Sequence, residues 1–342
     1  MKTAVKITVV IPIYNREAFL AEAVESVLNQ DFQDFELLLI DDGSTDGSAQ
    51  LAQHYTRVDK RVRLLQQENA GVSAARNRGL QHAQGCYIYF LDSDDTLDST
   101  FLSSSYQVLE QEQADGLVIG ADYGHRFPAL VALPTCAQMW RLSYLQRHAD
   151  VRFPLGIQPA EDGLFSHCLL AMSDRIAYNA AGIYHYRSHE DQNHRRIAQE
   201  ADRLLAQIPD WFNYLVSFYE RNSLLGSKSL HLARFLEHEP FGFRYLNMSL
   251  LAQQKQDVMD MIQAFYQQYS RPYMSQHEFK QLSFPFQEFL NSPSAAAFDQ
   301  FYSRYQQKRQ QQLKWGLFCS RFIPISRVRR KMRAYYREEQ SR

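Results

Sequence analysis

The chain has 342 residues, 45% of them hydrophobic and 22% charged, the balance of a globular protein long enough for two domains or for one domain with an extension. Its formal net charge is -1, so no global field favours nucleic acid as a partner. The four cysteines (Cys86, Cys136, Cys168 and Cys319) lie far apart with no CxxC pair, which argues against a cysteine zinc site or a disulfide framework and fits a reducing compartment.

Ile7 to Ile13 is a near-continuous apolar run, the pattern of a strand buried on both faces. It is short, holds Pro12 and is followed by no small-residue cleavage site, so it does not read as a signal peptide. No stretch is long and apolar enough to span a bilayer. A cytoplasmic protein is expected, at most peripheral on the inner face of the cell membrane.

Ala18 to Gln30 places Phe19, Leu20, Ala23, Val24, Val27 and Leu28 at helical spacing. Glu36 to Ile40 is a second buried strand, and Asp41 to Gly47 a turn that can cap a helix from Ser48 to Val58. A short strand follows at Val62 to Leu65, then a helix from Val72 to Gln84 and a strand from Tyr87 to Leu91. Strands separated by helices need crossover connections, which predicts a mostly parallel sheet. From Phe101 to about Arg196 the pattern is mixed, with short strands at Leu117 to Gly120 and Ile183 to Arg187 and a helix at Asp162 to Ser173. Beyond Ala198 strand signals stop. Val258, Ile262, Phe265, Tyr266 and Tyr269 form one helical stripe, and Phe298, Phe301, Tyr302 and Tyr305 another.

The strand ending at Leu91 runs into Asp92-Ser93-Asp94-Asp95. Carboxylates packed this closely repel, so the group is either a solvated turn or a seat for a hard cation. Three other strand ends carry Pro12-Ile13-Tyr14-Asn15, Asp41-Asp42-Gly43-Ser44, and the run from Glu68 and Asn69 through Gly71 and Ser73 to Arg76 and Asn77. In a parallel sheet the carboxyl ends share one rim, where ligands bind. A ring, carboxylates, an arginine and short turns on one rim suit a nucleotide: stacking for the base, an acceptor for its N–H, and a metal for the diphosphate.

These segments, from about Lys6 to Arg196, resemble the nucleotide-binding half of a family 2 glycosyltransferase of the inverting type, as found in bacterial surface-polysaccharide pathways. The resemblance implies an α/β GT-A fold, a Rossmann-like mostly parallel sheet flanked by helices, with a C-terminal α-helical extension. The corresponding domains are 1–197 for the glycosyltransferase (1–100 nucleotide half, 101–197 acceptor half), 198–312 for the helical extension and 313–342 for a basic amphipathic tail. It also implies a nucleotide-sugar donor, expected to be UDP-linked, and Mn²⁺ or Mg²⁺ as cofactor.

Carried over by position, Pro12 and Tyr14 would line the base. Asp42 would accept from the uracil imide N–H, with Asp41 as the alternative partner. Asn69 and Gly71 would shape the loop beneath the uridine, and Arg76 would supply a positive charge near the nucleotide. Asp92 and Ser93 would face the ribose and nucleotide, Asp94 would ligate the metal, and Asp95 would hold the loop. In Pro159-Ala160-Glu161-Asp162-Gly163, Asp162 takes the position of the general base, ionised at a helix N-terminus. Glu161 would orient the acceptor. His185, as a metal ligand, and Arg187, at the diphosphate, end the last expected strand, with His189 and His194 competing for the histidine's role.

Leu313 to Tyr336 mixes aromatic and aliphatic residues with Lys314, Arg321, Arg327, Arg329 and Arg330, a pattern suited to an anionic membrane surface or to a helix packed on the body. The acceptor would be a glycan or lipid-linked glycan, and the helical extension would serve acceptor binding or a homo-oligomer. Two other classes share the nucleotide-binding sheet. A sugar-nucleotide pyrophosphorylase needs a Gly-rich loop after the first strand, and the run from Pro12 to Glu17 has no glycine. A non-catalytic binding or assembly subunit would not need Asp92, Asp94 and Asp162 together.

Overall fold

The computed structural model describes residues 5–124, 127, 129–187, 201–320, 330–332 and 334. Seven strands form the main sheet: β1 (Ile7–Ile13), β2 (Phe35–Asp41), β3 (Val62–Gln66), β4 (Tyr87–Phe90), β6 (Gly116–Ile119), β7 (Gln138–Arg141) and β8 (Ile176–Asn179). Their order is β3-β2-β1-β4-β7-β6-β8. All run parallel except β7, which lies antiparallel between β4 and β6. A separate two-stranded ribbon pairs β5 (Thr96–Leu97) with β9 (Tyr184–His185). The mostly parallel sheet flanked by helices is the fold class expected.

Every residue of β1 and β2 is buried, because helices cover both faces. On one face Val9, Ile11, Leu37 and Leu39 pack with Leu20 and Val24 of α1 (Glu17–Leu28) and Ala52 and Tyr55 of α2 (Ser48–Val58). Leu102 and Leu109 of α4 (Phe101–Gln111) join that cluster, where the sequence pattern had left the helix unassigned. On the other face α3 (Val72–His82) crosses β1 so closely that a Cβ at Gly79 would meet Val10 Cγ1 at 2.5 Å. The second face continues without a break through Phe153 and α6 (Glu161–Met172) to Trp211, Phe235, Val258 and Phe298.

After residue 201 the described chain is helical, as expected from the stripes: Val258, Ile262, Phe265, Tyr266 and Phe298 are all buried. The region therefore shares one core with the sheet instead of hanging from it. It includes a helix at Ile208–Arg221, a π-helix at Glu237–Leu246 and a 25-residue helix at Ala295–Cys319. The expected boundary between 312 and 313 falls inside that last helix, and the one between 197 and 198 lies outside the described residues.

Candidate functional site

The strand register aligns the carboxyl ends of the parallel strands: Ile13 lies opposite Asp41, and Asp41 opposite Gln66. A cavity of about 1350 Å³ opens on this rim. It is lined by Pro12, Tyr14, Asp42, Asn69, Gly71, Arg76, Asp92, Ser93, Asp94, Glu161 and Asp162, so the geometry brings together residues predicted from four separate strand ends and one helix start.

The cavity wall at the ends of β1 and β2 is held by its own loops. Asn15 has a left-handed φ of 52°. Its N–H donates to Ser44 Oγ at 3.1 Å and its Oδ1 accepts from Thr45 N at 2.8 Å, which fastens the end of β1 to the end of β2. Tyr14, 46% exposed, stands open at the cavity wall. Asp42 is buried, and its carboxylate accepts from Gln67 Nε2 at 2.7 Å, Ala70 N at 2.9 Å and Gly71 N at 2.8 Å. Three donors leave about one of a carboxylate's four acceptor positions for a ligand. Asn69 Nδ2 donates to Asp42 O at 3.1 Å, and at Gly43 (φ 75°) a Cβ would lie 2.9 Å from Asn69 N. Asp41 does not reach the cavity. Its two oxygens accept from Ser44 N and Gln66 Nε2, so its role is to brace the turn, a correction to its place as alternative base partner.

Asp92 is partly exposed and takes a 3.0 Å ion pair from Arg76 Nη2. Asp94 lies 3.7 Å from Arg16 Nε. Asp95 is buried and holds the loop: it accepts from the Tyr184 hydroxyl and, at 2.7 Å, from Arg187 N. Burial pushes its carboxyl up to about 6. Arg187 does not line the cavity. Its Nε donates to Asp94 O at 3.1 Å, its guanidinium pairs with Glu22 and it sits 5.3 Å from the Phe19 ring centre, clasping the acidic loop to α1. His185 is also displaced from its expected role. Side chains alternate along a strand. Tyr184 and Tyr186 line the cavity, whereas His185 is exposed and is no part of the lining. His189 and His194 lie outside the described residues.

Glu161 and Asp162 open α6, preceded by Ala160 at φ 86° and ψ 4°. Asp162 Oδ1 accepts from Gly163 N at 2.8 Å and Oδ2 from Thr135 N at 3.3 Å, so its carboxylate is aimed by the backbone. Arg76 Nη1 donates to Glu161 Oε1 at 3.0 Å. Arg76 is thus a buried bridge between the two acidic segments as well as a cation at the cavity wall, with its Nε left unpaired among the described residues. Burial pushes both carboxyls above the ordinary range, Glu161 further through the neighbouring charge of Asp162, and Arg76 opposes the shift in both. Burial therefore works against the helix terminus that was expected to keep Asp162 ionised.

Among the described residues no group of three or more His, Cys, Asp or Glu side chains forms a complete metal cage. Asp94 with Asp92 beside it offers hard oxygen donors to a cavity open on one side, which fits a Mg²⁺- or Mn²⁺-type ion whose remaining ligands come from diphosphate and water. The sequence pattern did not single out Arg16, Gln158, Tyr184 and Tyr186 as site residues, yet they line the same cavity. The alternation of Tyr184 and Tyr186 around His185 was the one signal that could have found the two tyrosines.

Residues 8–153 match the profile of glycosyl transferase family 2. The chain is 29% identical over 212 residues to glycosyltransferase GlyA of Streptococcus pneumoniae, covering 53% of this chain and 30% of GlyA. It is 43% identical over 120 residues to GlyG of the same organism, covering 35% of this chain and 40% of GlyG. Over 250 residues it is 27% identical to the uncharacterized glycosyltransferase EpsJ of Bacillus subtilis, covering 65% of this chain and 72% of EpsJ. It thus spans well under half the length of GlyA and GlyG. The fold is similar to that of S. aureus TarS 1–349 in complex with UDP-GlcNAc, with a TM-score of 0.65 at 20% identity over 89% of this chain and 92% of that one. It is also similar to the mannosyltransferase PcManGT from Pyrobaculum calidifontis in complex with GDP-Man and Mn²⁺, with a TM-score of 0.54 at 14% identity over 88% of both chains. The match to glycosyl transferase family 2 covers residues 8–153, the part of the chain that carries Tyr14, Asp42, Arg76 and the run Asp92–Asp95.

Proposed function

We propose that the protein moves a sugar from a UDP-linked donor to a hydroxyl of a glycan or lipid-linked glycan, with inversion at the anomeric carbon. The observation that carries this reading is that Asp162 and the run Asp92–Asp94 line one cavity, with Arg76 tying the two segments together. Tyr14, Pro12 and the remaining acceptor capacity of Asp42 receive the uracil, and Asp92 and Ser93 face the ribose. Asp162 accepts the proton of the acceptor hydroxyl as that oxygen bonds to the anomeric carbon. The bond to the diphosphate breaks on the opposite face and the electron pair leaves with UDP, so an α-linked donor gives a β-linked product. Asp94 and Asp92 would hold Mn²⁺ or Mg²⁺, which when bound offsets the negative charge of the leaving diphosphate. Glu161, locked to Arg76, serves the base by fixing its segment.

A surface-glycan setting, capsule or lipopolysaccharide, fits this chemistry. It is also where a membrane-surface contact would act: Trp315 and Phe318 are exposed on the Ala295–Cys319 helix close to Lys314, while Arg321, Arg327 and Arg329 lie outside the described residues. Flotation with phosphatidylglycerol and with phosphatidylcholine vesicles tests the contact, and equal recovery with both rules out an anionic preference.

The enzyme reading is tested by UDP release from UDP-Glc, UDP-Gal, UDP-GlcNAc, UDP-GalNAc and UDP-GlcA in Mn²⁺, together with calorimetry of UDP with and without Mn²⁺. Turnover of one donor and tighter UDP binding in Mn²⁺ are expected. Neither turnover nor metal-dependent binding would favour a non-catalytic subunit.

A further inference from the structure

Asp162 is delivered to the cavity by residues 151–160, a segment with no helix or strand of its own. The segment ends at Ala160 with a φ of 86°. A residue with a Cβ in left-handed backbone costs about 1–2 kcal/mol, and such a conformation persists where neighbouring contacts over-determine it. Two side-chain amides supply those contacts, and both do so in the same way. Asn77 Nδ2 donates to Phe153 O at 2.8 Å and Asn77 Oδ1 accepts from Phe153 N at 3.0 Å. Gln207 Nε2 donates to Gln158 O at 3.0 Å and Gln207 Oε1 accepts from Gln158 N at 2.9 Å. Each fork satisfies both backbone groups of one residue, as a neighbouring strand would, but at a single point.

The forks come from opposite sides. Asn77 belongs to α3, next to Arg76, which grips Glu161. Gln207 belongs to the helical region and immediately precedes the Ile208–Arg221 helix. That helix adds a third tie, Tyr214 Oη donating to Arg152 O at 2.8 Å, and packs against α6 through Tyr219, whose hydroxyl lies 2.9 Å from His167 Nε2. Gln158 itself lines the cavity.

We propose that Gln207, with Asn77 as its counterpart, is a positioning residue for Asp162, and that the helical region takes part in catalysis by setting where the base stands. This rests on the reading of Asp162 as the base. Neither amide reaches the reacting atoms: each acts through backbone that leads to Glu161 and Asp162. A shift of about 1 Å in a catalytic group is enough to cost on the order of 100-fold in rate. Plain structural glue would have a different signature, because its loss lowers stability and leaves the folded fraction fully active.

The test uses the full chain and two readouts. Gln207→Met keeps the apolar stem and removes the fork, and Asn77→Ala removes the other one. Amide exchange followed by mass spectrometry should rise at least about tenfold in the peptide holding Gln158 to Gly163 for Gln207→Met, with the sheet strands unchanged. With the donor found in the UDP-sugar screen, kcat should fall about 30- to 100-fold while the donor KM stays within about twofold, since the nucleotide loops are untouched. The acid limb of the kcat profile should also move, because the surroundings of Asp162 change. Unchanged exchange at Gln158 to Gly163 overturns the proposal whatever the donor. Raised exchange with unchanged kcat reduces the fork to structural glue and overturns it too. Lack of turnover by the unaltered protein is a separate result, counting against the enzyme reading, because exchange is measured without donor.

Discussion

Asp92–Asp95 and Glu161–Asp162 are built from the same chemistry and held in opposite ways. The first segment ends a strand, is partly exposed at Asp92, and is clasped from outside by Arg187, Tyr184 and Arg16. The second begins a helix, is buried at Glu161 and half-buried at Asp162, and has the buried Arg76 as the ion-pair partner of Glu161. The partly exposed carboxylates of Asp92 and Asp94, with room beside them, suit a cation and a diphosphate, while Asp95 in the same run is buried. Carboxylates whose proton affinity is raised by desolvation suit proton transfer. Carboxylates on one cavity wall thus differ in hydration, and Arg76, paired with Asp92 and Glu161, is where the two environments meet.

The largest test of that division is Asp162→Asn. It should lower kcat about 100- to 10,000-fold, with UDP affinity in Mn²⁺ unchanged by calorimetry. A variant with near-normal turnover would remove Asp162 from the base role and leave the two segments without distinct functions.

Arg76→Met comes next, because it strips the shared cation and leaves a buried carboxylate uncompensated. The expected loss is about 3–5 kcal/mol in denaturant unfolding at pH 8. The sign with pH follows from Glu161. Burial raises its folded proton affinity, and Arg76 holds that rise back. Without Arg76 the folded carboxyl binds its proton more tightly still, so the penalty is full above the variant's folded value and shrinks as pH falls to about 7, where Glu161 of the unaltered protein takes up its own proton. A loss that grows toward acid would contradict this. If Asp162 is the base, its raised proton affinity should place the acid limb of kcat above the pH at which an ordinary aspartate titrates.

Asp94→Asn is smaller and should be confined to the first segment. It should cut the Mn²⁺-dependent gain in UDP binding by at least about tenfold, while UDP binding without metal and unfolding stability hold steady. Loss of metal-independent binding would mean that Asp94 contacts the nucleotide directly.

How far the sequence revealed these two segments differs as well. The wall from β1 to β4 was legible because β1 and β2 are long apolar runs and the cavity residues sit at the strand ends: β1 and β2 are buried throughout, and Tyr14, Asp42 and Asp92 follow from counting to the strand end. The wall beyond residue 100 was less so. β7 has only four residues, and its antiparallel insertion depends on partners far away in sequence. Arg76 looked like a cation for the nucleotide because its bond to Glu161 spans 85 positions. His185 was misplaced because a two-residue strand carries too little pattern to show which side faces the cavity. Gln207 carried no signal at all, since its partner is a backbone group and not a motif.

The smallest test returns to backbone at the two segments' supports. Asn15 and Ala160 both hold positive φ, 52° and 86°. Asn15 offsets the cost with its side chain, which accepts from Thr45 N, whereas Ala160 has only a methyl group. Ala160→Gly should therefore relieve about 1–2 kcal/mol of steric cost and lose about 0.5–1 kcal/mol to the freer unfolded chain. A net gain of roughly 0.5–1 kcal/mol in denaturant unfolding is expected, whereas Asn15→Gly loses the hydrogen bond and should gain less. If Ala160→Gly is destabilising, the base-bearing segment is not held against strain, and the forks from Asn77 and Gln207 have nothing to oppose.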